Sequence, residues 1–324
     1  MRALQISELG GPSSLRPADL PEPGADHPMT PGEGVVIDVA AAGVAFPDAL
    51  QSRGLYQFKP DLPFVPGAEV SGTVRFAPEG SGLAPGDRVA ACTYLGGFAE
   101  VAVAPAFMTF KVPDALDDAQ AAALVFNYHT AYFSLKLRGQ LRAGERVLVH
   151  GAAGGVGSAA IQVAKGLGAT VVGVVSTDEK AEVARRAGAD EVVRSDGPWK
   201  DEVKASGGVD VVLDPVGGDR FTDSLRSLRE DGRLVVVGFT GGSIPEVKVN
   251  RLLLNNIAVV GAGWGAYVMP KPGLNREIGA ALDELIAAGH VRPVIGARFP
   301  LERGAEALEL IEGRGATGKV VLEV

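Results

Sequence analysis

The chain has 324 residues, of which 46% are hydrophobic, 22% charged and 6% aromatic. This apolar fraction supports about two folded domains, and the absence of a fixed period among the 44 glycines excludes a collagen-like chain. The net charge of −8 provides no basic surface for a nucleic acid. The single cysteine, Cys92, excludes an internal disulfide and a multi-thiolate zinc site, which fits a reducing compartment.

Neither a targeting segment nor a membrane span is evident in the sequence. The first residues lack a charged stretch followed by an apolar one, and the longest mostly apolar stretch, residues 257–269, is too short to cross a bilayer. We therefore expect a cytoplasmic protein with no membrane partner.

The N-terminal third is rich in proline, with 14 of the 21 prolines between Pro12 and Pro113. Proline interrupts helices and inner strands, so this region should consist of short strands and loops. Alternating patterns bounded by turn residues predict strands over residues 34–40, 69–76, 88–91 and 98–103. The pattern indicates an antiparallel β-barrel or sandwich.

From residue 146 onward, short valine-rich runs alternate with helical patterns. Strands are predicted over residues 146–150, 170–175, 191–193, 209–213, 233–237 and 257–260, and helices over 155–167, 178–187, 199–205 and 219–230. Six such strands predict a doubly wound parallel sheet in the order 3-2-1-4-5-6. The remaining chain predicts helices over 276–288 and 302–312 and a last strand over 319–324.

A glycine-rich turn follows the first of these parallel strands. Against the pattern G-x-G-x-x-G, the first position is Ala152 and the next two are Gly154 and Gly157. Such a turn lets backbone N–H groups approach a pyrophosphate at a helix N-terminus. Because a strand precedes the turn and a helix follows it, we predict that Gly154, Gly155, Val156 and Gly157 bind a dinucleotide.

The end of the second parallel strand selects between NAD and NADP. A carboxylate there would bind the ribose hydroxyls of NAD, whereas this strand ends at Ser176. Lys180 and Arg194 are candidate cations for a 2′-phosphate, or alternatively surface charges, and Thr177 is a candidate helix cap. We predict a preference for NADPH over NADH.

Several other chemistries lack support in the sequence. The four histidines form no H-x-x-x-H pair and have no cysteine near them, and no G-x-S-x-G motif occurs. Residues 313–320 approach a phosphate-binding loop, but Val320 replaces the required hydroxyl and a strand follows. We expect no catalytic zinc and no serine nucleophile.

His129 and Cys92 are interpreted as structural residues.

The order of parts resembles the medium-chain dehydrogenase/reductase superfamily, and within it the zinc-independent quinone oxidoreductases. The segments that carry the resemblance are residues 41–48, 62–72, 96–100, 151–157, 210–218 and 260–265. It implies an α/β fold with a GroES-like β-barrel catalytic domain (1–120), a Rossmann NADPH-binding domain (121–265) and a C-terminal segment (266–324) that returns to the first domain.

The resemblance also implies the chemistry. Zinc-dependent relatives have a cysteine in the stretch corresponding to residues 43–48 and Gly-His-Glu in place of Gly67-Ala68-Glu69. Without that Lewis acid, hydride transfer from NADPH to a quinone or to a carbonyl-conjugated double bond is the expected reaction. The alternatives are an enoyl-thioester reductase and a non-catalytic, crystallin-like NADPH-binding protein.

Site residues also follow from the resemblance. Tyr56 matches a tyrosine proposed as the proton donor in related enoyl reductases, and the cofactor-proximal positions are Thr130, Phe239, Gly241 and Trp264. Asp214 either faces the ligand crevice or anchors the following turn.

The uncharged sixth strand predicts a homodimer through that sheet edge.

Overall fold

A computed structural model describes residues 1–324. The chain forms fifteen strands: β1 (Arg2–Ile6), β2 (Leu15–Asp19), β3 (Gly34–Val44), β4 (Glu69–Phe76), β5 (Arg88–Cys92), β6 (Val101–Pro105), β7 (Thr109–Lys111), β8 (Arg146–His150), β9 (Thr170–Val175), β10 (Glu191–Arg194), β11 (Val209–Asp214), β12 (Leu228–Val236), β13 (Ala258–Gly261), β14 (Ile295–Pro300) and β15 (Lys319–Glu323).

Eleven α-helices accompany the strands: α1 (Phe46–Ser52), α2 (Asp118–Ala121), α3 (Thr130–Tyr132), α4 (Gly155–Gly166), α5 (Asp178–Arg186), α6 (Trp199–Ala205), α7 (Phe221–Ser227), α8 (Asn250–Asn255), α9 (Trp264–Val268), α10 (Pro272–Ala287) and α11 (Gly304–Glu312). Two π-helical segments, Leu124–His129 and Phe133–Arg138, flank α3.

The chain divides into two compact units. Unit 1 contains Met1–Phe126, Pro272–Gly279 and Pro293–Val324, and unit 2 contains Asn127–Lys271 and Ala280–Arg292. Two parts of the segment expected to return to the first domain, residues 266–271 and 280–292, therefore belong to unit 2.

Unit 1 is built around a seven-stranded sheet in the order β14-β15-β3-β4-β5-β7, with β6 also paired to β3. All pairs are antiparallel except β14 with β15, and β1 and β2 form a separate antiparallel pair. The eleven-residue β3 is central because three strands pair with it. Its buried aliphatic side chains, with those of β4, β5 and β15, form the core. The predicted antiparallel β domain is confirmed.

Unit 2 contains a six-stranded sheet in the order β10-β9-β8-β11-β12-β13, with every pair parallel. This is the predicted 3-2-1-4-5-6 order. The inner strands are buried along their length, as expected for a parallel sheet covered by helices on both faces. Leu148, Val172 and Val212 belong to one core with residues of α6 and α7.

Three predicted elements were wrong in extent. The helix predicted over 219–230 covers only Phe221–Ser227, because Leu228 is extended and pairs with Val209 at the start of β12. The strand predicted from residue 98 begins at Val101, since Phe98 donates its N–H to Pro66 outside the sheet. The helix predicted from residue 276 begins at Pro272, a residue suited to a first helical turn.

Candidate functional site

The glycine-rich turn of unit 2 connects β8 to the N-terminus of α4. Gly151 has a positive φ of 59°, which favours glycine, and its carbonyl accepts the N–H of Gly154 at 2.9 Å. Gly154 is the extended N-cap of α4, and no acidic side chain occupies the first turn. The first-turn N–H groups of Gly155, Val156 and Gly157 lack intrahelical acceptors, so the turn can bind an anion.

Two glycines of the turn leave no room for a side chain. A Cβ on Gly157 would lie 2.1 Å from the Gly151 carbonyl oxygen, and one on Gly155 would lie 2.5 Å from Asn127 Nδ2. At Gly154, the nearest atom to a Cβ is 3.4 Å away, an ordinary contact. Gly157 is therefore required by packing, whereas Gly154 is free to approach a ligand. The turn fits the pyrophosphate of a dinucleotide.

The helical segment 124–138 places Asn127 and Thr130 in unit 2 beside this turn. Both residues are buried, and the Asn127 amide lies against Gly155. Tyr128 donates its hydroxyl to Gln162 Oε1 on α4 at 2.8 Å, and Gln162 bonds the backbone of Arg292. Of these two residues, only Thr130 was predicted from the sequence to lie near the cofactor. The signal that could have identified Asn127 was its polar side chain directly after the apolar run of residues 121–126.

Ser176, Lys180 and Arg194 meet where β9 and β10 end. Arg194 pairs in register with Val175, so its side chain reaches the residue that follows β9. Arg194 Nη2 donates to the Ser176 carbonyl oxygen at 2.9 Å, and Lys180 Nζ lies 3.4 Å from Ser176 Oγ. Thr177 caps α5 through the Lys180 N–H. The three predicted residues form one group.

Asp214 anchors the turn after β11. Its Oδ1 accepts the N–H groups of Val216 and Gly217, both at 2.8 Å. Of the two interpretations of Asp214, the structure supports the anchor. The carbonyl of Val216 then accepts the N–H of Gly241 at 2.7 Å, where a Cβ would lie only 2.7 Å from that oxygen. Phe239, which is 36% exposed, is close to the same turn, since a Cβ on Gly217 would contact its ring.

Trp264 begins α9 and is buried. Its ring packs edge-on against His129 with the ring centroids 5.6 Å apart. His129 is itself only 1% exposed, in agreement with a structural role.

Tyr56 belongs to unit 1 and follows α1 after a short turn in which Gly54 has a φ of 67°. The side chain is partly buried. Burial, and then the nearby groups Asp48 and Cys92, raise the pKa of Tyr56 above its ordinary value of 10. The phenol therefore keeps its proton at neutral pH, as a proton donor requires.

Tyr94 is a second phenol that sequence reasoning missed. Its φ of 61° is unusual for an aromatic residue, and its hydroxyl is buried without a hydrogen-bond partner. Hydrogen bonds from Thr93 to Ala68 and Gly67 fix this segment. Burial, followed by Cys92 and Tyr56, raises the pKa of Tyr94.

Unit 1 also contains a buried ion pair. Lys319 Nζ lies 2.7 Å from Glu69 Oε2, and the two side chains are 3% and 0% exposed. The other oxygen, Oε1, accepts the N–H of Phe126 at 2.7 Å. Burial raises the pKa of Glu69, while Lys319 and the backbone amides favour its ionised form. Cys92 is fully buried, which agrees with its predicted structural role.

No group of three or more His, Cys, Asp or Glu side chains is arranged to hold a metal ion. Among the helices, none has both the length and the apolar character that crossing a bilayer requires.

A GroES-like β unit and a six-stranded dinucleotide sheet with a glycine turn define the architecture of medium-chain dehydrogenases/reductases. Residues 31–114 match the family model of the alcohol dehydrogenase GroES-like domain, and residues 155–282 match that of zinc-binding dehydrogenases. The chain is 40% identical to bovine (Bos taurus) quinone oxidoreductase-like protein 2 over 305 residues, which cover 92% of this chain and 87% of the relative.

Two solved structures are similar over the whole chain. A probable oxidoreductase from Mycobacterium abscessus is 46% identical with a TM-score of 0.90, and covers 100% of this chain and 99% of its own. The quinone oxidoreductase from Thermus thermophilus, solved alone and with NADPH, is 36% identical with a TM-score of 0.85 and full coverage of both chains. The chain belongs to the quinone oxidoreductase family of the medium-chain dehydrogenase/reductase superfamily.

Proposed function

We propose that this protein is a zinc-independent, NADPH-dependent reductase of quinones or carbonyl-conjugated double bonds. The observation that carries the proposal is the glycine turn, where first-turn amides lack intrahelical acceptors and Gly157 has no room for a side chain. The NADPH complex of the Thermus thermophilus relative supports the same cofactor.

The residues of unit 2 fit the cofactor. Gly154, Gly155, Val156 and Gly157 would hold the pyrophosphate through backbone N–H groups. Ser176, Lys180 and Arg194 would hold the 2′-phosphate, and Thr130, Phe239, Gly241 and Trp264 would hold the nicotinamide half. Bound NADPH supplies a hydride to the acceptor.

Tyr56 supplies the proton in this proposal. Reduction of a quinone or an enone adds one hydride and one proton to the acceptor. The Tyr56 phenol donates that proton and regains one from solvent. Its raised pKa keeps the hydroxyl protonated over the working pH range.

Zinc independence rests on the residues of unit 1. Ala68 precedes Glu69 at a position where zinc-dependent relatives have histidine, and Cys92 is fully buried with its pKa raised by burial. An electron-poor acceptor does not need a metal to stabilise an alkoxide, because positioning next to the hydride donor is the main requirement.

An absorbance assay of NADPH consumption tests the proposal with three acceptors, a benzoquinone, an enone and an enoyl thioester, each with and without a metal chelator. We expect turnover of the quinone or the enone, unchanged by the chelator. Turnover of the thioester alone would favour the enoyl-thioester reductase. Tight NADPH binding without any turnover would favour the non-catalytic binding protein.

The role of Tyr56 has its own test. Tyr56→Phe should lower kcat about 100-fold, the usual contribution of a positioned proton donor. Tyr132→Phe, which removes a phenol near Glu284 that has no role in the proposed mechanism, is the matched control and should keep full activity. Equal kcat for the two variants would remove Tyr56 from the mechanism.

We also propose a homodimer that forms through β13. This strand ends the sheet, carries no charge, and leaves Ala258 and Gly261 exposed. Such an edge is a template for pairing with a second copy. Light scattering should give the mass of a dimer. Ala258→Lys should shift that mass to a monomer, whereas Ala280→Lys, at an exposed position of α10, should not.

A further inference from the structure

The proposed 2′-phosphate site contains acidic as well as basic side chains. Residues 176–180 and 194–196 carry two cations, Lys180 and Arg194, and three carboxylates, Asp178, Glu179 and Asp196. The site therefore has no net positive charge before a phosphate binds. For a pocket that selects a dianion, this balance is unfavourable.

Arg194 is already engaged by two of these carboxylates. Its Nη1 lies 2.6 Å from Asp178 Oδ1, and its Nη2 lies 2.9 Å from Asp196 Oδ2. Nη2 also donates to the Ser176 carbonyl oxygen. The remaining nitrogen, Nε, is buried and has no hydrogen-bond partner. Each terminal nitrogen that a phosphate would use thus already has a carboxylate partner.

The two carboxylates differ in how they contact Arg194. Asp178 lies in the first turn of α5, two residues after Ser176, and its side chain is 94% exposed. Its Oδ1 alone occupies Nη1, whereas Asp196 shares Nη2 with the Ser176 carbonyl oxygen. A phosphate bound at Ser176 competes with Asp178 for Nη1 and lies beside the negative charge of Asp178.

We propose that Asp178 is a specificity-determining residue, which weakens 2′-phosphate binding by holding Arg194 and so narrows the preference for NADPH over NADH. This inference rests on the proposed function, since it concerns the same dinucleotide site. NADH has no 2′-phosphate and leaves the Asp178–Arg194 pair intact. The protein should therefore accept both cofactors, with only a modest preference for NADPH.

Calorimetric titration of the full-length protein with NADPH and with NADH tests the inference. Asp178→Asn should increase NADPH affinity about three- to tenfold, the range expected when one exposed ion pair and one repulsive charge are removed. NADH affinity should change less than about twofold. Glu179→Gln is the matched control, because Glu179 is in the same exposed turn and forms no ion pair. Asp178→Ser provides a second replacement suited to a helix start.

The outcomes separate the possible explanations. A larger affinity ratio in both Asp178 variants, but not in Glu179→Gln, supports the inference. An unchanged ratio, or an equal change in the Glu179 control, overturns it. The effect should shrink in an Arg194→Gln background, because Asp178 then has no guanidinium to hold; a full effect there also overturns the inference. If the wild type binds neither dinucleotide, the proposed function itself fails, and the inference with it.

Discussion

Asp48 in unit 1 and His150 in unit 2 are buried ionisable groups whose pKa values shift in opposite directions. Both side chains are fully buried, and each has one polar atom without a partner, Asp48 Oδ1 and His150 Nδ1. Burial raises the pKa of Asp48 from 3.8 to about 6 and lowers the pKa of His150 from 6.5 to about 4. Neutral aspartic acid carries a proton, whereas neutral histidine has lost one.

The surroundings of the two groups explain their neutral forms. Asp48 Oδ2 accepts the Ala45 N–H at 2.7 Å, so Oδ1 is free to carry the proton. The Ser224 hydroxyl donates to the Arg220 carbonyl oxygen, and its oxygen can therefore accept from His150 Nε2–H at 2.7 Å. This leaves Nδ1 unprotonated. Burial therefore disfavours the charged form of both groups, but the contributions of the two groups to stability respond to pH with opposite sign.

The buried Glu69–Lys319 pair differs from Asp48 and His150 because its two charges are paired with each other. We expect the largest effect on stability at this pair. Lys319→Met leaves the Glu69 carboxylate buried without its cation. We expect a loss of about 3–5 kcal/mol in the free energy of unfolding, measured by chemical denaturation.

The matched control lies on the neighbouring strand of the same sheet. Arg298 on β14 forms exposed ion pairs with Glu323 and Asp117. Arg298→Met should cost less than about 1 kcal/mol, as exposed pairs contribute little. If the two variants lose similar free energies, burial is not what makes the Lys319 pair important.

The pH dependence of stability tests the comparison directly. The raised pKa of Asp48 stabilises the fold fully below pH 3.8, and this contribution is lost as the pH rises through about 6. The lowered pKa of His150 has the reverse effect, since stability is retained above pH 6.5 and lost as the pH falls through about 4. Each shift corresponds to about 3 kcal/mol.

Two variants isolate these contributions. Asp48→Asn and His150→Asn remove one titrating group each, so the difference in unfolding free energy between wild type and variant should depend on pH. The wild type should lose stability relative to Asp48→Asn as the pH rises from 4 to 6.5, and gain relative to His150→Asn. If the difference in unfolding free energy between wild type and variant changed with pH in the same direction for both variants, the proposed protonation states would be contradicted.

The parallel sheet was predictable because its signals are local. The strands β8 and β9 have the predicted bounds, since each is a continuous apolar run that ends at a polar or glycine residue. The strands β1 and β2 were not predicted. The sequence of β2 contains Pro17 and charged residues, which are typical of a loop. At β12, the pairing of Leu228 with Val209 overrode a helical pattern, and no local signal marks that pairing.

The candidate site divides in the same way. The glycines of the turn, Ser176 and Arg194 follow from motif spacing within two consecutive crossovers. Lys319 did not, because its partner Glu69 lies 250 positions away in the chain. Its charge directly before the apolar run of residues 320–322 was the available signal. Tyr94 could not be singled out from the sequence, because its buried hydroxyl without a hydrogen-bond partner is visible only in the three-dimensional structure.

Substitutions in the glycine turn should change stability less than those of the buried charged groups, and they separate folding from binding. Gly157→Ala forces a Cβ to within 2.1 Å of the Gly151 carbonyl oxygen, so the backbone must move. We expect a loss of about 1–3 kcal/mol in unfolding free energy, measured by denaturation. Gly155→Ala should cost less, because its Cβ meets the movable end of the Asn127 side chain.

Gly154→Ala is the control, since its Cβ meets no atom closer than 3.4 Å and its φ of −82° suits alanine. The fold should keep its stability, while the added methyl group faces the proposed pyrophosphate site and weakens NADPH binding. Calorimetry on this stable variant therefore tests the binding role of the turn without a folding defect. Undiminished NADPH affinity would mean that the pyrophosphate does not approach Gly154, although the turn would still require glycine at 157 for packing.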